Sequence, residues 1–575
     1  MSDEVARILS EITATSGGDN AASSEFFLEE ATFDEAGYLR LNPDVAESIA
    51  RGDVGSGYQH FVLYGFREGR TLPGTPMEPR NRLVRPQQSG GEADRGPTSD
   101  IPFACEALIV STTGAVMLLG WVDDTYSPLR LIRIISPNWR VVLDTTSMAR
   151  IRRGDVENAL GKPIVHRFGF IAFLHGDETI EPGGKAKVEL WLSNGAQLLM
   201  EVPVRQFGEL ELRNTLLTRL ADADFHGNPQ VERVACLDAG LGKQIVAFNR
   251  AITKRLVAAP YSESFGTPRG KLRGSIVVCL YGKSEYLFAQ NALFSGLPGI
   301  EDYEFIYVSN SPELGETLMR EARIGSFIYG TCQTVMVLPG NAGFGAANNA
   351  ALRVARSDRI MNVNPDVFPR DRDWAAKHTA LLDSAPAAQT RLFGVPLYYD
   401  DGSLMHGGMY FETDDSISVV DGALKRRKLL RVEHYGKGAP PDSDAFLRAR
   451  PVPAVTGAFI SSDRAWYEQL GGFTEDFVFG HYEDADLCLK SLEAGTAPWL
   501  HDIRLWHFEG KGSTRLPPHE GGSVVNRWLF SQRWNDTVAR DLSGPMPTHK
   551  LITGISPEPP PPDDPFGFDD LEVVR

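Results

Sequence analysis

Between residues 275 and 363 the chain repeats one unit, a short apolar run followed by a stretch with helical spacing. Residues 275–281, 305–309, 334–338 and 359–363 read as strands, and residues 285–295, 315–324 and 346–356 as helices. Strands linked through helices pair in parallel, because a parallel pair needs a long crossover that a tight hairpin cannot supply. The pattern therefore predicts an α/β domain with a mostly parallel central sheet. Ligands of such sheets bind beyond the carboxyl ends of the strands. Polar and glycine-rich segments fall at those ends: Tyr281-Gly282, Asn310, Gly340 to Gly345, and Asn364-Pro365-Asp366.

The 575 residues are 42% hydrophobic and 23% charged, enough for several domains with their own cores. A net charge of −17 argues against a nucleic-acid binder. No apolar run reaches the ~18 residues of a membrane-spanning helix, and the first residues lack the basic and apolar regions of a secretory signal. A cytoplasmic location is expected, with peripheral association at the inner face of the membrane still compatible. The five cysteines are odd in number and form no CxxC pair, which predicts reduced core thiols.

Composition divides the rest of the chain. Residues 1–24 are polar and unpatterned and read as disordered. Residues 25–70 carry two short helical patterns, one after Asn42-Pro43-Asp44, which is expected to cap it, and one through Tyr58, Phe61 and Tyr64. Residues 71–100, rich in Pro, Gly and Arg, read as a linker. Short apolar runs separated by turns across 101–212 predict a β-sandwich-like domain. Residues 213–270 read as a helical connector and 271–545 as the α/β domain. Residues 546–575 form an acidic, proline-rich tail expected to be disordered.

The chemistry-bearing residues concentrate late. Glu483 and Asp484 open a helix whose apolar positions, Ala485, Cys488, Leu489 and Leu492, recur at helical spacing, so both carboxylates fall in the first turn. Acids there are ordinary helix-start chemistry, and the dipole that favours them also suits a general base. His507 precedes a polar, glycine-rich loop with Lys511 and Ser513. The cluster from Gly340 to Gly345 lacks the GxGxxG spacing of a dinucleotide fold.

In order, Thr456-Gly457-Ala458-Phe459, Gly471-Gly472-Phe473, Glu483-Asp484 and His507 resemble the C-terminal half of the catalytic domain of family 2 glycosyltransferases. Residues 341–348 resemble that family's N-x-G-x-x-x-x-N segment, and Asn364-Pro365-Asp366 its DxD-type motif. The helical module resembles one found beside glycosyltransferase and cell-surface domains. The resemblance implies an A-type glycosyltransferase fold and inverting transfer of a sugar from a nucleotide-diphosphate sugar to a hydroxyl of a glycan, lipid-linked or protein acceptor. It implies Asp484 as base with Glu483 in support. Asp366 and His507 would hold Mg²⁺ or Mn²⁺, and Tyr281, Asn310, Asn341, Gly343, Asn348, Asn364 and Lys511 would line the donor site. Gly457, Ala458 and His406 are candidates for acceptor contact. The chain departs from the family pattern in two places. Asn364 stands where the motif's first acid is expected, and the first two strand ends lack the family's Tyr-Asn pair and Asp, so base recognition does not carry over. A catalytically inactive carbohydrate-binding or scaffold protein is the alternative, and a nucleotidyltransferase is disfavoured by the single lysine after the first strand.

Overall fold

The structure, a computed structural model, describes residues 34–51, 56–60, 83–84, 101–162, 167–176, 178–223, 233–234, 236–268, 270–420, 423–443, 446, 448–512 and 516–552. The expected disordered start, most of the linker and the last 23 residues lie outside them. Residues 546–552 of the expected tail are described, and Ile552 is buried in one apolar cluster with Phe411 and Leu430.

In the N-terminal module, helices Glu35–Leu41 and Pro43–Ala50 pack around Tyr38. Asn42 precedes Pro43, but its amide turns back to the Tyr38 carbonyl at 3.0 Å instead of capping the helix that follows. Next come nine strands in one hydrogen-bonded order, joined through a single shared strand. The cause is the length of strand Gln197–Gln206. Residues 197–203 pair with Lys185–Leu192, and residues 204–206 continue in parallel beside Phe103–Val110. Part of the expected linker joins this ladder, with Leu83–Val84 beside Val141 and Arg140. One face closes over Leu108, Leu118, Ile132, Phe170 and Val188. The other face packs Ile109, Met117 and Phe173 on the connector helices α1 (Glu209–Asp222) and α2 (Gly242–Leu256).

The central sheet of the α/β domain contains β1 (Tyr261–Phe265), β2 (Gly274–Leu280), β3 (Tyr303–Ser309), β4 (Cys332–Val337), β5 (Arg359–Val363), β6 (Leu392–Gly394), β7 (Arg450–Pro451), β8 (Phe459–Asp463) and β9 (Trp499–Leu500). Its order is β1-β4-β3-β2-β5-β8-β6-β9-β7. Only the core β4-β3-β2-β5 is continuously parallel; β1, β8 and β7 pair antiparallel with their neighbours. The sheet is therefore mixed rather than mostly parallel. Crossover helices Glu285–Phe294 and Gly315–Tyr329 enforce parallel pairing only among the early strands. The sequence pattern shows this, because β2 and β3 are buried along their whole length, as a strand covered on both faces must be.

A four-stranded sheet stands beside it in the order Val367–Pro369, Leu505–His507, Leu397–Tyr398, Leu404–His406. A long hairpin, Met409–Val420 with Ala423–His434, follows. Three further helices bear on the site: α3 (Phe344–Ala351), α4 (Glu483–Glu493) and α5 (Pro517–Asp541). Among the described residues no helix is long and apolar enough to cross a membrane.

Candidate active site

Where β5 ends, the chain turns through Asn364, Pro365 and Asp366. The Asn364 N–H donates to the Ala458 carbonyl at 2.9 Å, which ties this turn to the start of β8. Gln290, fully buried on helix Glu285–Phe294, donates from Nε2 to the carbonyls of Asn364, Pro365 and Val367 at 3.0, 3.0 and 3.3 Å. Pairing of Val367 opposite His507 then places two distant segments together. Asp366 Oδ1 lies 3.4 Å from His507 Nε2, and Asp366 Oδ2 accepts the Gly512 N–H at 2.8 Å. Asp366 is 2% exposed and His507 5%.

Gly512 is required by close approach, since a Cβ there would sit 2.7 Å from Asp366 Oδ1. The loop is also strapped from above: the Lys511 carbonyl accepts from Tyr286 Oη at 2.7 Å and from Lys283 Nζ. The Lys511 ammonium, expected on phosphate, is instead turned outward to Asp400 at 2.8 Å. Ser513 lies outside the described residues.

Beyond the Gly457 turn, α4 begins after Phe479, His481 and Tyr482, which have φ of 61°, 87° and 75° and are the non-glycine left-handed residues among those described. Such backbone is disfavoured and persists only where neighbours hold it. Asn526 of α5 does so, accepting the Val478 N–H at 2.7 Å and donating to the carbonyls of Val478, Gly480 and His481. The bend brings Asp484 to the Gly457 turn. Its Oδ2 accepts the Gly457 N–H at 2.7 Å and its Oδ1 the Ala485 N–H at 2.8 Å. Burial raises the Asp484 pKa, with those two bonds opposing. Glu483 is more extreme. Burial, then the charge of Asp484, pushes its pKa well above the carboxylate range, and its Oε2 has no hydrogen-bond partner among the described residues. Asp486 is occupied structurally, by Thr474 Oγ1 at 2.6 Å, Trp534 Nε1 at 2.9 Å and Arg533 Nε at 3.0 Å.

The donor-side candidates divide. Asn310 is a bracket inside the sheet end: its Oδ1 accepts the Ala342 N–H, and its Nδ2 donates to the Gly343 carbonyl. Asn348 is 1% exposed and spans Phe344 O and Asn362 Nδ2, so it locks α3 to β5 rather than lining an opening. Asn341, partly exposed, accepts the Gly343 N–H through Oδ1. Tyr281 lies with its ring 5.6 Å from His519, which is 4.8 Å from Phe479. His406 is fully buried, its Nδ1 2.9 Å from His434 Nδ1, and burial drives its pKa well below the usual imidazole value. Gln290, Asn349 and Asn526 were not singled out from sequence. Asn349 binds Phe473 O, Glu475, Tyr467 Oη and the Phe473 N–H, fixing the Gly471-Gly472-Phe473 segment.

Among the described residues no three His, Cys, Asp or Glu side chains gather to hold a metal by themselves. Asp366 Oδ1 and His507 Nε2, at 3.4 Å, do fit neighbouring positions around one hard cation that takes its remaining ligands from phosphate and water. Asn364 Nδ2 lies 3.5 Å from the same nitrogen, so its carbonyl could reach this position by an amide flip. One feature is unlike a usual imidazole ligand, whose other nitrogen is bonded: His507 Nδ1 is buried and without a partner among the described residues.

No family model matches the chain. Among curated proteins, an uncharacterized protein, y4gI, of Sinorhizobium fredii is 29% identical over 214 residues, 36% of this chain and 21% of that protein. The chain thus matches about a fifth of that relative's length. Similar solved structures include a mannosyltransferase of Pyrobaculum calidifontis with GDP-Man and Mn²⁺, at 15% identity over 54% of this chain and 88% of that one, TM-score 0.29. GalNAc-T7 with UDP, GalNAc and Mn²⁺ is 12% identical over 47% and 50% of the two chains, TM-score 0.30. TarS of S. aureus is 14% identical over 41% and 37%, TM-score 0.27. At these scores the likeness decides nothing about the chemistry.

Proposed function

We propose that the chain is an inverting glycosyltransferase that moves a sugar from a nucleoside-diphosphate sugar to a hydroxyl acceptor. One observation carries this reading: an unbroken set of contacts runs from Asp484 through Gly457 and Ala458 to Asn364 and on to His507 and Asp366, at the carboxyl end of the parallel strands. It supports a reading in which a desolvated carboxylate and a candidate cation site serve one reaction, as direct displacement needs.

In this reading Asp484 takes the acceptor's hydroxyl proton. The acceptor oxygen bonds to the anomeric carbon as the bond from that carbon to the diphosphate oxygen breaks, and the leaving oxygen keeps the electron pair. A divalent cation, Mg²⁺ or Mn²⁺, held by Asp366 and His507 would neutralise the charge on that diphosphate. The Gly457 and Ala485 N–H groups orient the Asp484 oxygens, leaving the remaining lone pairs for the acceptor. Glu483, favoured in its neutral form, would donate a hydrogen bond to a substrate hydroxyl rather than add a second negative charge. Direct attack with one base inverts the anomeric centre. Gly457 and Ala458 border the acceptor side, and Tyr281, Asn341 and Gly343 the donor side.

The test is release of nucleoside diphosphate from a panel of nucleotide sugars with Mn²⁺ or with EDTA. Release from one donor, lost in EDTA, is expected. Absence of release from every donor, together with glycan binding by calorimetry, supports the scaffold reading instead; the near-complete cover of Asp366 by the Gly512 loop favours that second reading.

A further inference from the structure

Arg213 belongs to α1, outside the α/β domain, yet its side chain ends beneath the candidate site. It is 2% exposed and has no carboxylate partner among the described residues. Nη2 donates to the Asn341 carbonyl at 2.9 Å and Nη1 to Asn249 Oδ1 at 3.1 Å, while Nε is buried without a partner among the described residues. The guanidinium carbon sits 4.6 Å from the centre of the Phe479 ring. A buried cation lacking a counter-charge is costly, and burial draws its pKa down to about 10. A neutral side chain would fill the same space without that cost, so the charge calls for a role.

The two groups it grips supply one. Asn341 opens the turn before α3, and Phe479 is the first left-handed residue before α4. These segments also meet directly, through the Phe344 N–H and the Phe479 carbonyl, and a Cβ on Gly343 would lie 3.1 Å from that carbonyl oxygen. Asn526 of α5 holds the bend by its backbone; Arg213 of α1 holds it by the Phe479 ring, with the π face of Phe479 and the Asn341 carbonyl dipole replacing a counter-ion. We infer that Arg213 is a positioning residue for the carboxylate pair, a cation supplied by the connector that clamps the Asn341 turn to Phe479 and so keeps the bend that presents Asp484 to Gly457.

The clamp is structural, and only its catalytic consequence rests on the proposed transferase activity. Hydrogen exchange of the full chain tests it with Arg213→Met, Phe479→Leu and the double variant. Amides of residues 479–484 should exchange about tenfold faster or more in each single variant, with helix Glu285–Phe294 unchanged. The double variant should be no faster than Phe479→Leu, since both remove the same contact. Arg213→Lys, which keeps the charge over the ring, should recover part of the protection. Turnover should show a lower kcat with unchanged donor KM. Wild-type exchange at 479–484 in Arg213→Met, or strict additivity in the double variant, overturns the clamp. If Arg213→Met does not fold, the Phe479→Leu variant alone must show the local rise. Faster exchange in a protein that turns over no nucleotide sugar keeps the clamp and removes the transferase reading; unchanged exchange with turnover intact does the reverse.

Discussion

The two acidic ends of the candidate site are built in opposite ways. At α4 two backbone N–H groups hold Asp484 at the end of a strained bend, and burial raises the pKa of both Asp484 and Glu483. At the β5 turn, Asp366 is paired with an imidazole, capped by Gly512 and covered by a loop strapped to Tyr286 and Lys283. The first end is ready to take a proton; the second must uncover before it can take a ligand. In the proposed reaction the difference would separate a preorganised base from a site that forms as its ligand arrives.

Removing the base should have the largest effect. Asp484→Asn keeps the shape and cannot accept a proton, so kcat should fall by about 10²- to 10⁴-fold while donor affinity stays near wild type. The wild-type rate should climb with pH through a range above that of an ordinary aspartate, because only the ionised form accepts the proton. More than a tenth of wild-type turnover in this variant would move the base elsewhere.

Next comes the covered end. Asp366→Ala should weaken Mn²⁺-dependent donor binding by about 100-fold or more, beyond the loss typical of an outer partner. Calorimetry showing equal affinity with and without the carboxylate would leave the β5 turn as a structural corner.

Glu483→Gln probes the desolvated end through stability. A folded-state pKa raised above the ordinary 4.5 means that the native state holds this proton more tightly than the unfolded chain. That contribution is complete below pH 4.5 and is lost as pH rises toward and through the folded pKa. Glutamine loses nothing over that range, so urea titrations should show the variant gaining on wild type as pH rises from 4.5 to 8. A difference that is flat with pH would mean Glu483 is ionised in the native protein. The smallest effect belongs to Lys511→Ala, whose outward pair with Asp400 is exposed; the denaturation midpoint should not change measurably, and a large loss of donor binding would show that the lysine turns inward when ligand is present.

The strands of the parallel core were legible because burial on both faces leaves uninterrupted β-branched and aromatic runs, as in Ile276 to Val278 and Phe305 to Val308. The start of α4 was legible from Glu483 onward, with Gly495 past its end at φ 86°. The mixed flanks were not, since β6, β7 and β9 are two or three residues long and take their direction from distant partners. Nor were the brackets. Gln290, Asn349, Asn526 and Arg213 each bind backbone or rings far away in sequence, and no local spacing marks such a residue. Asn348 shows the converse: its side chain looks like a ligand contact in sequence and is spent on Asn362.

The outer face of the nine-stranded ladder shares one apolar layer with the connector helices and with Val478 and Trp528 of the α/β domain, and at Gly240 the chains approach so closely that a Cβ would lie 2.4 Å from the Thr146 carbonyl oxygen. Inheritance follows from this layer. A β-rich unit joined to its neighbour by a tether can be shuffled between genes as a cassette, whereas one that shares its interior must be kept or replaced together with the helices and the bend it supports. Cutting after residue 207 would bare Ile109, Met117 and Phe173 on one side and Leu216, Phe248 and Trp528 on the other, so neither piece would inherit a finished surface.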